Sequence, residues 1–387
     1  MKIKFIKYLL FFCLCIISSI LIINYEVKAI NSENDSFLQD AKSGCLIECK
    51  TRKVLVSKQE NKRLAPASMT KIMTMLLVME KIESGTIGYN DMVITPKNAA
   101  SLGGSQIYLS EGEKMSVHDL LKAMCIASAN DAAMSLAVYV GGSEKMFVDM
   151  MNKKVNELGL VNTNYVNPYG FDDPNHYSSS YDMAIIASEL INKYPKILEY
   201  TSIYEDYVRE DTEKRFWLVN TNKLVRFMEG VDGLKTGWTN NSGYCLTATI
   251  TKNNERFIAV AMGNSTPSIR NNEISELLQY GVNNFKTKTI LSKDEIIDEI
   301  KDVSLSPSKV SLSVSEDVII VKNKKDEIGE VEIVKNINFE NNEFYVDVYY
   351  DNNLYKRVNL NLSTSYHKAS IWNLMIEFIK ELFLCTH

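Results

Sequence analysis

Three short segments, Ser68-Met-Thr-Lys71, Ser128-Ala-Asn130 and Lys235-Thr236-Gly237, constrain this chain more than anything else in it. Together they supply a serine hydroxyl, two lysine amines and small polar groups, enough for nucleophilic catalysis without histidine. To act together they need a fold that joins a helix start, a helix-to-loop junction and a strand. Each segment sits in text of that kind. Ser68 follows Leu64-Ala-Pro-Ala67, where Pro66 suits a first helical turn. Ile72, Met73, Leu76, Leu77, Met79 and Ile82 then recur at helical spacing. Ser128 follows the apolar run Leu120–Ile126, and Gly237 lies just before the strand-like run Tyr244–Ile250.

Residues three apart share a helical face, so Lys71 can reach Ser68 and take its proton. Free N–H groups at a helix start, that of Ser68 included, suit a developing oxyanion. Ser128 is a candidate proton relay, and the Asn130 amide can both donate to and accept from a peptide. Lys235 offers positive charge, Thr236 a hydroxyl and Gly237 close backbone approach. Taken alone, Ser128-Ala-Asn130 would also suit an ordinary capping turn, and Lys235-Thr236-Gly237 an ordinary strand edge. A second Ser-x-x-Lys, Ser306-Pro-Ser-Lys309, lies in strand-like text beside Pro307 and carries no catalytic expectation.

The length of 387 residues suggests two domains with terminal additions. Lys2, Lys4 and Lys7 precede an apolar run from Tyr8 to Ile23, and Val27 and Ala29 give the small-residue pattern of a cleavage point. Residues 1–29 therefore read as an export signal, with an uncleaved anchor as the alternative. Without them the chain carries 39 basic and 47 acidic residues, a net charge of −8. That balance argues against nucleic acid as a partner. Helices are expected at 117–126, 131–139, 144–158 and 181–192, with hairpins at 44–57 and 244–262 and a helix over 272–285. Residues 30–286 form the expected catalytic domain of α+β class. From 287 to 365 the alternating text predicts a small antiparallel β domain. Residues 366–387 contain an amphipathic helix, Ser370 to Cys385, read as a membrane-surface anchor, with packing on the protein's own core as the alternative.

Cys45 and Cys49 stand four apart in an expected strand, about 13 Å between Cα atoms, beyond disulfide reach. Cys45, Cys125 and Cys245 read as buried small hydrophobes. The four histidines do not cluster with cysteines at metal-ligand spacing, and no metal or organic cofactor is implied.

Leu64-Ala-Pro-Ala-Ser68-Met-Thr-Lys71, Gly103-Gly-Ser-Gln-Ile-Tyr-Leu109, Ser128-Ala-Asn-Asp131, Asn167-Pro-Tyr-Gly-Phe-Asp-Asp-Pro-Asn-His176 and Asp232-Gly-Leu-Lys-Thr-Gly237 together resemble the serine D-alanyl-D-alanine carboxypeptidases, the penicillin-binding proteins of low molecular mass. The likeness spans about residues 35–285 and points to the enzymes of Gram-positive spore-formers. It implies a β-lactamase/transpeptidase-like fold, with an antiparallel sheet flanked by helices plus a helical lobe, followed by a small all-β domain. It implies removal of the terminal D-alanine from peptidoglycan stem peptides outside the cytoplasm, and acylation by β-lactam antibiotics. Ser68 would be acylated and Lys71 would be the base. Ser128 and Asn130 would complete the relay and hold the substrate amide, while Lys235 and Thr236 would recognise the terminal carboxylate. The oxyanion would lie between the N–H groups of Ser68 and Trp238, a position where relatives often carry histidine or tyrosine. Arg270 aligns loosely with a carboxylate-binding arginine, and a surface helix charge is its alternative.

Three rivals differ in chemistry. A class A β-lactamase needs a glutamate for deacylation, and the segment 162–180 offers Asp172 and Asp173 but no glutamate. A Ser-His-Asp hydrolase finds no Gly-x-Ser-x-Gly elbow, and His176 in its Pro- and Asn-rich loop reads as structural. A non-catalytic wall-binding protein would have no use for an intact set of motifs.

Overall fold

The structure is a computed structural model that describes residues 37–210, 212–301, 305–372, 374 and 375. The expected export signal and most of the Ser370–Cys385 segment lie outside the described residues. The chain divides into two compact units, Met1–Asn283 and Asn284–His387.

The first unit is built on a five-stranded antiparallel sheet in the order Val54–Lys58, Ser43–Glu48, Glu255–Asn264, Gly243–Lys252, Val231–Thr239. The strand carrying Lys235-Thr236-Gly237 is therefore an edge strand. One face of the sheet, through Cys45, Ile47, Cys245, Ile258, Val260 and Met262, joins the core of the helical lobe. The other receives the helix Pro267–Asn284, where a Cβ on Gly281 would stand 2.9 Å from the Phe257 ring, so only glycine lets helix and sheet approach.

The lobe helices follow their sequence signals. Lys71–Glu83 is buried from Lys71 to Met79, an apolar helix running through the core rather than across its surface. Val117–Ile126, Glu144–Glu157 and Ser180–Lys193 are each capped by a preceding serine whose Oγ accepts the third N–H onward, at 3.0, 3.2 and 3.1 Å for Ser116, Ser143 and Ser179. Asn130–Gly141 ends on Gly142 at φ +79°. The final helix starts at Pro267, five residues earlier than the periodicity suggested, because polar Ser268 and Asn271 hide its first turn.

The second unit is all β. Five antiparallel strands run in the order Ile296–Lys301, Lys309–Val314, Asn353–Leu362, Glu343–Tyr350, Val331–Asn338, and Phe285–Leu291 pairs with Val318–Asn323. Val310, Leu312 and Val314 alternate inward and are buried, and Leu312 and Val314 share a core with Leu291, Val318, Val346, Val348, Val358 and Leu360. Lys309 of the second Ser-x-x-Lys is ion-paired with Glu299 at 2.9 Å. Beyond it Ile371, Trp372, Leu374 and Met375 are exposed, and no helix among the described residues is long and apolar enough to cross a membrane.

Candidate active site

Ser68 lies in a single 3-10 turn, Ala67–Thr70, that feeds directly into the helix Lys71–Glu83. Ala67 takes a left-handed φ of +47° there. Two glycines make the turn possible. A Cβ on Gly170 would stand 1.9 Å from the Ala67 carbonyl oxygen, and one on Gly237 would stand 2.7 Å from the Pro66 carbonyl oxygen. The nucleophile turn is thus clamped between the 167–176 loop and the edge strand, with no room for a side chain on either.

One helical turn brings Lys71 back to Ser68, with Nζ 2.9 Å from Oγ. Lys71 is fully buried. Its Nζ also donates to Asn130 Oδ1 at 2.7 Å and to the Tyr169 carbonyl at 2.8 Å. Both of these oxygens can only accept. When the amine is neutral, its two N–H bonds stay on them and its lone pair is left for the Ser68 hydroxyl.

Each partner of Lys71 is held in turn. Asn130 opens its helix, donates Nδ2 to the Gly103 carbonyl at 2.8 Å, and gives its backbone N–H to the Ser105 carbonyl at 2.7 Å. Asp131, fully buried, accepts from the N–H groups of Ile107 and Leu109 and so fastens the loop that bears Gly103 and Ser105. Asn167 Oδ1 accepts from the N–H groups of Tyr169, Gly170 and Phe171, which aims the Tyr169 carbonyl at Lys71. His176 Nδ1 accepts from Val166 N–H at 3.1 Å, which leaves its Nε2 hydrogen for Thr70 Oγ1 at 2.8 Å. Burial pushes this imidazole down to about 4, so it is neutral and, bonded to Val166 and Thr70, structural. Asp172 Oδ1 accepts from Thr239 Oγ1 at 2.9 Å, which ties the same loop to the edge strand.

The third motif enters from the sheet. Lys235 is buried and donates to the Thr236 carbonyl at 3.0 Å, while Thr236 Oγ1 donates to Thr221 Oγ1 at 2.7 Å. Arg256 holds Asp232 through two bonds of 2.7 Å at the start of that strand. Arg270 is 5% exposed, which overturns the reading of it as a surface helix charge. Its Nη1 donates to the carbonyl of Cys245, the residue opposite Gly237 in the sheet register. Trp238, next along the edge strand, is 53% exposed. Ser128 is buried two residues before Asn130, at φ +63°.

Burial, and then the charge of Lys235, hold the Lys71 amine well below the usual lysine range, while Asp131 opposes them. Burial pushes Lys235 down to about 7, and Arg270 adds to that shift. Arg270 itself is lowered by burial to about 10 and stays charged at neutral pH. Cys45, Cys49, Cys125 and Cys245 are free and buried, with thiols raised by desolvation. Among the described residues, no group of three or more His, Cys, Asp or Glu side chains is placed to hold a metal ion.

Several members of this arrangement were not readable in advance. The Tyr169 carbonyl and the Gly103 and Ser105 carbonyls act through backbone, which residue type does not report. Thr221 and Asn167 are polar residues in loop text. Asn167 lies in the Asn167–His176 segment that carried the resemblance, but nothing in that segment assigned it a role.

Comparison with known proteins agrees with this geometry. A family model described as D-alanyl-D-alanine carboxypeptidase matches residues 29–266. The chain is 48% identical over 292 residues to D-alanyl-D-alanine carboxypeptidase DacF of Bacillus subtilis, covering 76% of this chain and 75% of that one. It is 36% identical over 295 residues to DacA of Haemophilus influenzae, covering 74% of each. The crystal structure of penicillin binding protein 5 from Haemophilus influenzae superposes with a TM-score of 0.73 at 30% identity, over 85% of this chain and 98% of that chain. Penicillin-Binding Protein D2 of Listeria monocytogenes, solved in a cefotaxime-bound form, superposes with a TM-score of 0.57 at 28% identity, over 63% of this chain and 97% of that chain. The chain belongs to the D-alanyl-D-alanine carboxypeptidase family.

Proposed function

We propose that this protein removes the terminal D-alanine from peptidoglycan stem peptides through an acyl-enzyme on Ser68. The observation that carries the reading is the Lys71 amine 2.9 Å from Ser68 Oγ, with its remaining bonds fixed on two carbonyls. The substrate's terminal carboxylate meets Lys235 and Thr236, with Arg270 adding positive potential behind them. Ser68 Oγ attacks the preceding carbonyl carbon as its proton passes to Lys71 Nζ. The oxyanion is held by the N–H groups of Ser68 and Trp238. Collapse breaks the C–N bond, and the leaving D-alanine amine takes the proton from Lys71 by way of Ser128. Asn130 holds the substrate amide in register. Water then cleaves the ester with Lys71 again as base. A β-lactam acylates the same oxygen by opening its ring.

The work is done on the outer side of the cytoplasmic membrane, with residues 1–29 as the export signal. The segment beginning at Ser370 lies in the membrane interface, a placement supported by the exposed Ile371, Trp372, Leu374 and Met375. The test of the activity is D-alanine release from a pentapeptide ending in D-Ala-D-Ala. Wild-type protein should release it, and Ser68→Ala protein that remains folded should not.

A further inference from the structure

Between Ala100 and Lys114 the chain has neither helix nor strand, yet this stretch carries the Gly103 and Ser105 carbonyls that hold Asn130. Side chains from two separate elements fix it. Asp131, on the helix Asn130–Gly141, takes the N–H groups of Ile107 and Leu109. The other is Arg209, which follows the strand Glu205–Val208 in a hairpin closed by Phe216–Val219. Its Nη1 donates to the Ile107 carbonyl at 2.9 Å and its Nε to Glu113 Oε1 at 2.6 Å. Glu113 Oε2 in turn accepts from Ser110 N–H at 3.0 Å. Burial would raise the Glu113 carboxyl, but the bonds from Arg209 and Ser110 outweigh it and keep the group ionised. The hairpin is itself anchored, by an ion pair of 3.0 Å between Asp206 and Lys122 and by Phe216, whose ring stands 5.9 Å from that of Tyr108.

Arginine at this position works against stability. Its backbone is left-handed, at φ +58°, which arginine rarely adopts. Its side chain is only 9% exposed, and Nη2 is buried with no partner among the described residues. A well-packed apolar pair would hold the loop to the hairpin at lower cost. What arginine adds is a planar fork that reaches a carboxylate and a carbonyl together.

We propose that Arg209 is a positioning residue for the acylation step, its bond to the Ile107 carbonyl setting the Gly103–Ser105 backbone and, through it, the Asn130 amide against Lys71. The proposal rests on the reading that Ser68 is acylated with Lys71 as its base. Ile107 lies two residues beyond Ser105, so a shift of its carbonyl carries the acceptors of Asn130 with it. Asn130 Oδ1 then moves off Lys71 Nζ, and the amine is no longer held with its lone pair towards Ser68. Arg209 has no bond to Ser68, Lys71 or Asn130, so it acts through the loop.

The test is a double-mutant cycle on the rate at which a chromogenic β-lactam acylates the full chain. One arm is Arg209→Met with Glu113→Gln, which removes both charges together and leaves no buried ion unpaired. The other is Asn130→Ala. The first arm should lower acylation about tenfold in the wild-type background. In the Asn130→Ala background it should change the rate by less than about twofold, because the link is already cut. Should the first arm not fold, Arg209→Lys, which keeps a cation beside Glu113 but cannot match the fork, replaces it with the same expectation. Acylation of the Arg209 variant at the wild-type rate, or an equal tenfold loss in both backgrounds, overturns the positioning role and leaves the serine–lysine chemistry standing. Folded wild-type protein that is not acylated overturns both.

Discussion

Gly237 lies so close to Pro66 that a Cβ at the former would stand 2.7 Å from the carbonyl oxygen of the latter and 3.2 Å from the Met69 nitrogen. The glycine of the third motif is therefore a packing requirement of the nucleophile turn as well as a place for substrate backbone. Gly237→Ala should displace Ser68 relative to Lys71. Misplacement on the order of 1 Å lowers acylation about 10²-fold, and overpacking lowers stability by about 1–3 kcal/mol. Stopped-flow acylation by a chromogenic β-lactam and thermal melts measure the two effects separately. Acylation at the wild-type rate would show that the contact is not a constraint.

The two buried lysines should shape the pH profile in opposite ways. Lys71 must be neutral to act, so acylation rises with pH through a pKa well below that of an ordinary lysine. Lys235 must be charged to hold a carboxylate, so kcat/KM falls again as pH passes about 7. Arg270→Ala removes a positive charge beside Lys235 and should move the falling limb to higher pH. Lys71→Arg, which cannot lose its proton at these pH values, should lower acylation by about 10²–10⁴-fold. A rising limb at the ordinary lysine value, or a falling limb insensitive to Arg270, contradicts these assignments.

His176 links stability to acid. Its folded pKa of about 4 lies below the unfolded value of 6.5, so between them the unfolded chain binds the extra proton. The stabilisation is complete above about pH 6.5 and is lost as pH falls through about 4, roughly 3 kcal/mol in all. His176→Gln should melt lower at pH 7, where it loses part of the Thr70–Val166 bridge, and should lose much of the difference in melting temperature between pH 7 and pH 4. Parallel curves for wild type and variant would mean that another group carries the acid sensitivity.

The fold was legible where periodicity was strong and dim where chemistry was carried by backbone. Helices with a serine cap and an apolar stripe, such as Val117–Ile126 and Ser180–Lys193, match their expected bounds within one residue. The strand Ser43–Glu48 stops before Cys49 and Lys50, because Glu48 turns its carboxylate back onto the N–H groups of Lys50 and Thr51. The pairing of Ser68 with Lys71 follows from their spacing at the start of a long apolar helix, context that Ser306 and Lys309 lack. The left-handed backbone at Ala67 and Ser128 does not, since neither residue type favours it and only the surrounding packing imposes it. Arg270 was ambiguous because a helix reading places a charge on a face without saying what covers that face. Its burial against the Cys245 carbonyl depends on how a distant helix meets the sheet.

Mass spectrometry of the intact protein after incubation with penicillin tests the serine–lysine pair most directly. Wild-type protein should gain one penicilloyl group, mapped to the peptide containing Ser68 and missing from folded Ser68→Ala protein. An adduct that persists in that variant, or folded wild-type protein that gains no mass, would contradict that expectation.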